Sequence, residues 1–162
     1  MSVTIRPARP ADASLIYALV RELAEYERLS HDVDSSKQQI AAALFGPQPG
    51  VFCDLAEWNG EPAGFALWFL NFSTFRGRHG LYLEDIFVRP ALRGKGIGKT
   101  LMRNLARRCV ERGYARFEWT VLDWNEPSIA FYRSIGANLL DDWRVCRMSG
   151  EALVNFAGQG TT

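Results

Sequence analysis

The sequence predicts one α/β domain whose central sheet is mixed and mostly antiparallel, with about seven strands flanked by about four helices. Three observations carry this. At 162 residues the chain suits a single compact domain with a sizeable core. Its apolar periodicity switches between helical and strand spacing in the order βααβββαβαβ. No internal repeat, low-complexity stretch or linker divides residues 1–162.

Val3 to Arg6 reads as a first strand, and Pro10 suits a first helical position with Asp12 in the first turn. Leu15, Ile16, Leu19, Val20 and Leu23 form the apolar stripe of a helix running to about Glu27. The acidic, aromatic segment AEYERLSHDVD leaves that helix as a loop. A second helix is predicted from about Ser36 to Phe45, ended by Gly46-Pro47. Val51 to Trp58 and Ala63 to Phe72 read as antiparallel strands joined at Asn59-Gly60. The loop STFRGRHG leads to Leu81–Val88, an apolar, β-branched and aromatic strand that Pro90 closes. Ile97, Leu101, Met102, Leu105, Ala106 and Cys109 then recur at helical spacing as far as Gly113. Phe117 to Leu122 is a further strand. Asn125 to Ile135 is a short helix with Asn125 as N-cap, Pro127 in its first turn and Gly136 as its stop. Ala137–Leu140 and Trp143–Met148 read as the last strands, before a helical turn at Glu151–Phe156.

Composition narrows the function classes. Formal net charge is +1 with acids and bases interspersed, which argues against nucleic acid or an anionic membrane as partner. No apolar run reaches the roughly 20 residues of a membrane span, and MSVTIRPARPADAS lacks a signal-peptide core. Cys53, Cys109 and Cys146 are odd in number and far apart, as reduced thiols in a cytoplasmic protein would be. With only His31 and His79, no zinc or triad constellation forms, so the expectation is a metal-free reaction.

Arg93-Gly94-Lys95-Gly96-Ile97-Gly98-Lys99 opens the third helix, and its alternate glycines leave backbone N–H groups free to face a ligand. Bare N–H groups and the positive end of a helix dipole attract an anion, so a phosphorylated cofactor is expected. A flexible basic turn is the plain alternative. A nucleotide P-loop fails, because its first glycine would fall at Arg93. Rossmann spacing fails too, since its third glycine would fall at Lys99.

Immediately before this loop, Glu84 and Asp85 interrupt an apolar strand. Adjacent strand residues face opposite sides, so one carboxylate points into the core unless a bulge re-aims it. Solvated or arginine-paired acids on an edge strand are the plain alternative, but the place of the pair just before the anion loop favours a functional role. From pattern alone, Tyr132 is a helix-surface tyrosine, Asn125 and Ser128 are helix caps, and Tyr26 with Glu27 is a solvated helix end.

The pattern [RQ]-x-x-G-x-[GA] at Arg93, Gly96 and Gly98, after an apolar strand and before a helix, resembles the acyl-CoA loop of the GNAT acetyltransferases. ELAEYE, LYLEDIFV, RGKGIGKTL, WNEPSIAFYRSIGA and DDWRVCRMSGEAL extend the likeness over nearly the whole chain. They are similar to the diamine (spermidine/spermine) and thialysine N-ε-acetyltransferase branch. The resemblance implies a GNAT fold and N-acetylation of a small-molecule primary amine by acetyl-CoA, both bound at once, in a cytoplasmic homodimer.

It also implies residue roles. Glu84 would be the general base, through water, and Tyr132 the general acid to the departing thiolate. Asp85, Glu84, Tyr26 and Glu27 would hold the cationic acceptor. The loop Arg93–Lys99 would bind the pyrophosphate, the backbone of Ile86, Phe87 and Val88 the pantetheine arm, and Asn125, Ser128 and Tyr132 further parts of the cofactor. Polyamine-acetylating members carry an acid where this chain has Ser73-Thr74-Phe75. STFRGR and VLDWN are closer to the thialysine branch, and Arg76 and Arg78 would favour an acceptor bearing a carboxylate. The alternatives are a protein or peptide N-acetyltransferase and a non-catalytic CoA-binding module.

Overall fold

A computed structural model describes residues 1–158. The chain divides into two compact units, Met1–Thr120 and Val121–Thr162. In the first, β1 (Val3–Pro7), β2 (Phe52–Trp58), β3 (Glu61–Ser73), β4 (Arg78–Val88) and β5 (Phe117–Trp119) form one sheet in chain order. The first four pair antiparallel, and β5 joins β4 in parallel. The mixed α/β architecture is the predicted one, with five strands among the described residues rather than about seven.

Three helices accompany the sheet: α1 (Ala13–Tyr26), α2 (Lys37–Phe45) and α3 (Ile97–Arg112). Pro10–Asp12 is a 3-10 turn ahead of α1. Arg6 grips the Asp12 carboxylate with both terminal nitrogens, at 2.8 and 2.9 Å, and its hydrogen bonds hold that acid below the ordinary carboxylate range. Ile16, Leu19 and Leu23 repeat at helical spacing and are buried with Leu44 of α2 and with Leu55, Phe65, Leu67 and Phe87 of the sheet. α2 starts at a capping box, Ser36 Oγ accepting from the Gln39 N–H while Gln39 Oε1 accepts from the Ser36 N–H. Asn59 and Gly60 both have positive φ (51° and 83°), the geometry of a tight two-residue hairpin turn.

α3 buries Ile97, Leu101, Met102, Leu105 and Cys109 and packs on β4, β3, β2 and β1. Ile97, Leu101, Met102 and Leu105 each contribute roughly 1.5–3 kcal/mol by leaving water. One charge is buried on this unit: Asp54, 2% exposed, accepts from Arg108 at 2.7 and 3.3 Å and from the Trp68 indole N–H at 3.1 Å. Three hydrogen bonds, two of them from the Arg108 guanidinium, offset the desolvation of that carboxylate.

In the second unit, α4 (Glu126–Ser134) is capped by Asn125, whose side chain accepts from the Ser128 N–H, and Pro127 lies in its first turn. α5 (Gly150–Gly158) ends the described chain. Residues 137–140 and 143–148, read as strands in the sequence, have no strand pairing. Trp143, Val145 and Met148 are exposed there by 76, 73 and 50%. Period-2 alternation identifies which side chains could share a face, but a strand also needs an edge to pair with. The predicted strand Phe117–Leu122 is likewise shorter, Phe117–Trp119. No helix among the described residues is long and apolar enough to cross a membrane.

Candidate active site

The central feature is a β-bulge in β4. Leu67 of β3 stands opposite Asp85, but its neighbour Trp68 stands opposite Leu83, which leaves Glu84 as the extra residue. Directly paired residues share a face. Leu83 therefore lies on the Trp68 side, where Arg108 of α3 rests on the indole ring at 4.7 Å. Asp85 and Phe87 lie on the opposite side with Leu67 and Phe65, facing α1. The bulge resolves the parity problem of two adjacent carboxylates: Glu84 projects exposed from the extra position, and Asp85 is half-buried on the α1 face.

Burial, reinforced by the nearby charges of Glu84 and Glu27, pushes Asp85 up to about 7. Glu27, at the end of α1, is itself raised by burial. Three carboxylates thus converge in one region with Tyr26, a strongly anionic place for a cationic ligand. Tyr26 lies 6.4 Å from the Phe87 ring, centroid to centroid.

Past the bulge, β4 presents an open edge. β5 pairs only with Leu81, Tyr82 and Leu83, so the strand runs on beyond its neighbour. The Arg89 N–H donates to Ala63 O at 2.9 Å, and antiparallel alternation then turns the backbone groups of Ile86 and Val88 away from β3. An extended ligand with amide groups can add there as a further strand. Arg89 fixes this end of β4, bonding Glu22 of α1 at 3.0 and 3.2 Å and Pro62 O at 3.1 Å.

The glycine loop follows directly. Gly94 and Gly96 have φ of +79° and +78°, the left-handed conformation that side chains disfavour. Gly96 caps α3 without any side-chain acceptor, so the first-turn N–H groups stay available to an anion. Lys95 lies over Trp58 at 5.4 Å, and Arg93 lies over Tyr26 at 4.4 Å with its Nε–H donating to Val88 O at 2.9 Å. An open strand edge leading into an uncapped helix N-terminus fits a cofactor with an extended amide arm and a pyrophosphate. Ile86, Val88 and the loop 94–99 are the residues that could hold it.

Tyr26, Glu27, Glu84, Asp85, Ile86, Phe87, Val88 and Arg93–Lys99 therefore all fall in the unit Met1–Thr120. Asn125, Ser128 and Tyr132 form a second group in the other unit: Ile129 and Tyr132, one turn apart on α4, are buried, as is the Asn125 cap. Arg76 and Arg78 do not join the carboxylates. Arg78 begins β4, six residues before Glu84 and so about 20 Å away along the strand. Sequence reasoning missed the Arg93–Tyr26 contact, which joins residues 67 apart and leaves no local signal. It also missed Gly64, where a Cβ would stand 2.2 Å from Phe87 O, and there the signal was present as a lone glycine inside a strand.

Comparison with known proteins agrees with this geometry. Residues 15–137 match the family model "Acetyltransferase (GNAT) family". A thialysine N-epsilon-acetyltransferase of Sus scrofa is 38% identical over 169 residues, covering 98% of this chain and 99% of that protein. An L-ornithine N5-acetyltransferase of Arabidopsis thaliana is 32% identical, covering 92% and 85%. Among solved structures, an integron cassette protein from the mobile metagenome of V. cholerae superposes with a TM-score of 0.80 at 31% identity, over 98% of this chain and 99% of that one. The open edge of β4, the uncapped glycine loop and these likenesses lead to one conclusion: the chain belongs to the GNAT family and is an N-acetyltransferase that uses an acyl-CoA.

Proposed function

We propose that this enzyme acetylates the side-chain amine of a small diamino acid, of the thialysine or ornithine kind, with acetyl-CoA and amine held together in a ternary complex. The observation that carries the reading is the bulge at Glu84. It sets a carboxylate trio against Tyr26 and immediately beside the open edge and glycine loop. The activities for which the relatives are named, on thialysine and on L-ornithine, support the acceptor class.

The chemistry assigned to each residue follows. An alkyl ammonium has a pKa near 10 and reaches the enzyme protonated, so a base must take its proton before nitrogen can attack. Glu84, exposed at the bulge, accepts that proton through water. Asp85 and Glu27 hold the cation and Tyr26 walls its pocket. Bound acetyl-CoA supplies the acetyl group as a thioester. As the new C–N bond forms and the C–S bond breaks, Tyr132 donates a proton to the sulfur. Loop N–H groups from Gly94 to Lys99, with Arg93, bind pyrophosphate; Ile86 and Val88 pair with the arm, whereas Phe87, expected to join them, turns its backbone groups to Phe65 of β3; Asn125 and Ser128 complete the cofactor site.

The family model spans the boundary at Thr120, which supports a single working domain over residues 1–162. Exposed Trp143, Val145, Leu153, Val154 and Phe156 support a homodimer, and the free cysteines suit a cytoplasmic setting. Arg78 sits too far along β4 to read an acceptor carboxylate within its own chain, so polyamines belong in the test beside amino acids. A thiol-release assay with acetyl-CoA should rank thialysine and ornithine above putrescine, spermidine and monoamines. Preference for peptide N-termini, or no release with any amine, would sink the proposal in favour of a peptide acetyltransferase or a CoA-binding module.

A further inference from the structure

Arg93 occupies an unusual position for a residue beside an anion loop. Its guanidinium carbon lies 4.4 Å from the Tyr26 ring centroid and 5.4 Å from that of Phe87, and the two rings are tilted at 51°. The cation thus sits in an aromatic corner that faces back along β4. Its Nε–H donates to Val88 O, on the edge where an added strand would pair. Among the described residues no carboxylate forms an ion pair with Arg93. What holds it is one carbonyl and two ring faces, all exchangeable for better partners.

We propose that Arg93 couples the two ligands: it closes the end of β4 and covers Tyr26, and each ligand frees a contact that the other must break. This rests on reading Tyr26 as part of the acceptor pocket. The ring face holds one cation at a time, so an ammonium arriving at Tyr26 displaces the guanidinium. A pyrophosphate at the glycines one to five residues further on draws the same guanidinium forward by charge. An arm pairing with Val88 competes for the carbonyl that Nε–H holds. Whichever ligand binds first releases Arg93, and the second no longer meets that competition. The coupling is reciprocal, so a saturating amine tightens coenzyme A to the same degree that coenzyme A tightens the amine.

Calorimetric titration of coenzyme A into the full chain tests this without acetyl transfer. Tyr26→Leu removes the ring that restrains Arg93 and is expected to tighten coenzyme A roughly three- to tenfold. Tyr26→Phe keeps an aromatic face and should stay close to wild type. Arg93→Ala should weaken binding, and adding Tyr26→Leu to it should change nothing further. A misfolded variant cannot bind more tightly, so tightening is specific to the release of Arg93. As a second measurement, saturating coenzyme A should shift the Tyr26 ring-proton resonances, and Arg93→Ala should shift them in the same direction with no ligand added. Failure of Tyr26→Leu to tighten binding, equal tightening in the Arg93→Ala background, or static Tyr26 resonances would each overturn the proposal. No amine enters either measurement, so a wrong acceptor assignment is exposed by the thiol-release panel alone.

Discussion

Leu83 and Asp85, two residues apart on β4, face opposite sides of the sheet. A regular strand would put them on the same side. Glu84, the extra residue between them, changes the parity, so that Leu81 and Leu83 lie on the Trp68 side of the sheet while Asp85 and Phe87 lie on the α1 side. The fold thereby turns two acids in an apolar strand into one exposed carboxylate and one half-buried carboxylate.

If Glu84 takes the ammonium proton and Tyr132 protonates the thiolate, Glu84→Gln and Tyr132→Phe should each lower kcat by roughly 10²-fold or more. Coenzyme A affinity should stay within about twofold for both, because each group acts in the transition state rather than in binding. Steady-state kinetics paired with calorimetry checks this. Unchanged turnover in both variants removes the assigned roles.

If Asp85 holds the cationic acceptor, acceptor binding depends on pH. Its carboxyl, raised from 3.8 to about 7 by burial and by Glu84 and Glu27, is largely neutral at pH 6 and ionised at pH 8. The amine stays protonated throughout that window. The KM for the amine should therefore fall as pH rises through 7, and Asp85→Asn should flatten the profile. The stability effect has the opposite sense. The folded chain keeps a proton that the unfolded chain releases above about 4, so the cost of burying Asp85 grows from pH 4 to 7. Asp85→Asn should raise the melting temperature more at pH 8 than at pH 5; an equal change at both would contradict the assignment.

Gly64→Ala should damage the site without touching a catalytic group. Its Cβ would stand 2.2 Å from Phe87 O and 3.1 Å from the Val88 Cα, both main chain, so β3 and β4 must separate at the open edge. Overpacking of this kind costs about 1–3 kcal/mol. Thermal melting should show that loss, with weaker coenzyme A binding beside it; wild-type values for both would mean that the edge does not hold the arm.

Arg108→Ala should be more costly than either, about 3–5 kcal/mol in urea unfolding, because it strands the Asp54 carboxylate in the interior. Removing both partners in Asp54→Ala/Arg108→Ala should cost less than the sum of the single changes. Additive losses would show that the pair is not coupled.

Much of this was legible from residue spacing. The stripe Ile16, Leu19 and Leu23, the Asn59-Gly60 turn and the α3 stripe each declare a local period, and local periods determine local structure. The glycine loop was readable because left-handed φ values select glycine at positions 94 and 96. The strands expected at 137–140 and 143–148 do not form, since an apolar stretch says nothing about whether a pairing edge is within reach. Glu84 and Asp85 could be flagged as an anomaly, but which of them the bulge exposes depends on the register with Leu67 and Trp68 across the hairpin. Long-range contacts such as Arg93 on Tyr26 and Arg108 on Asp54 leave no trace in spacing.

The central claim, N-acetylation of a small side-chain amine, is tested most directly by mass spectrometry of the product formed from acetyl-CoA and thialysine. The account predicts one acetyl group on the side-chain nitrogen, appearing in step with free thiol and formed more slowly by roughly 10²-fold or more with Glu84→Gln. Thiol release with unmodified thialysine, or an acetyl group on the α-amine, would contradict it.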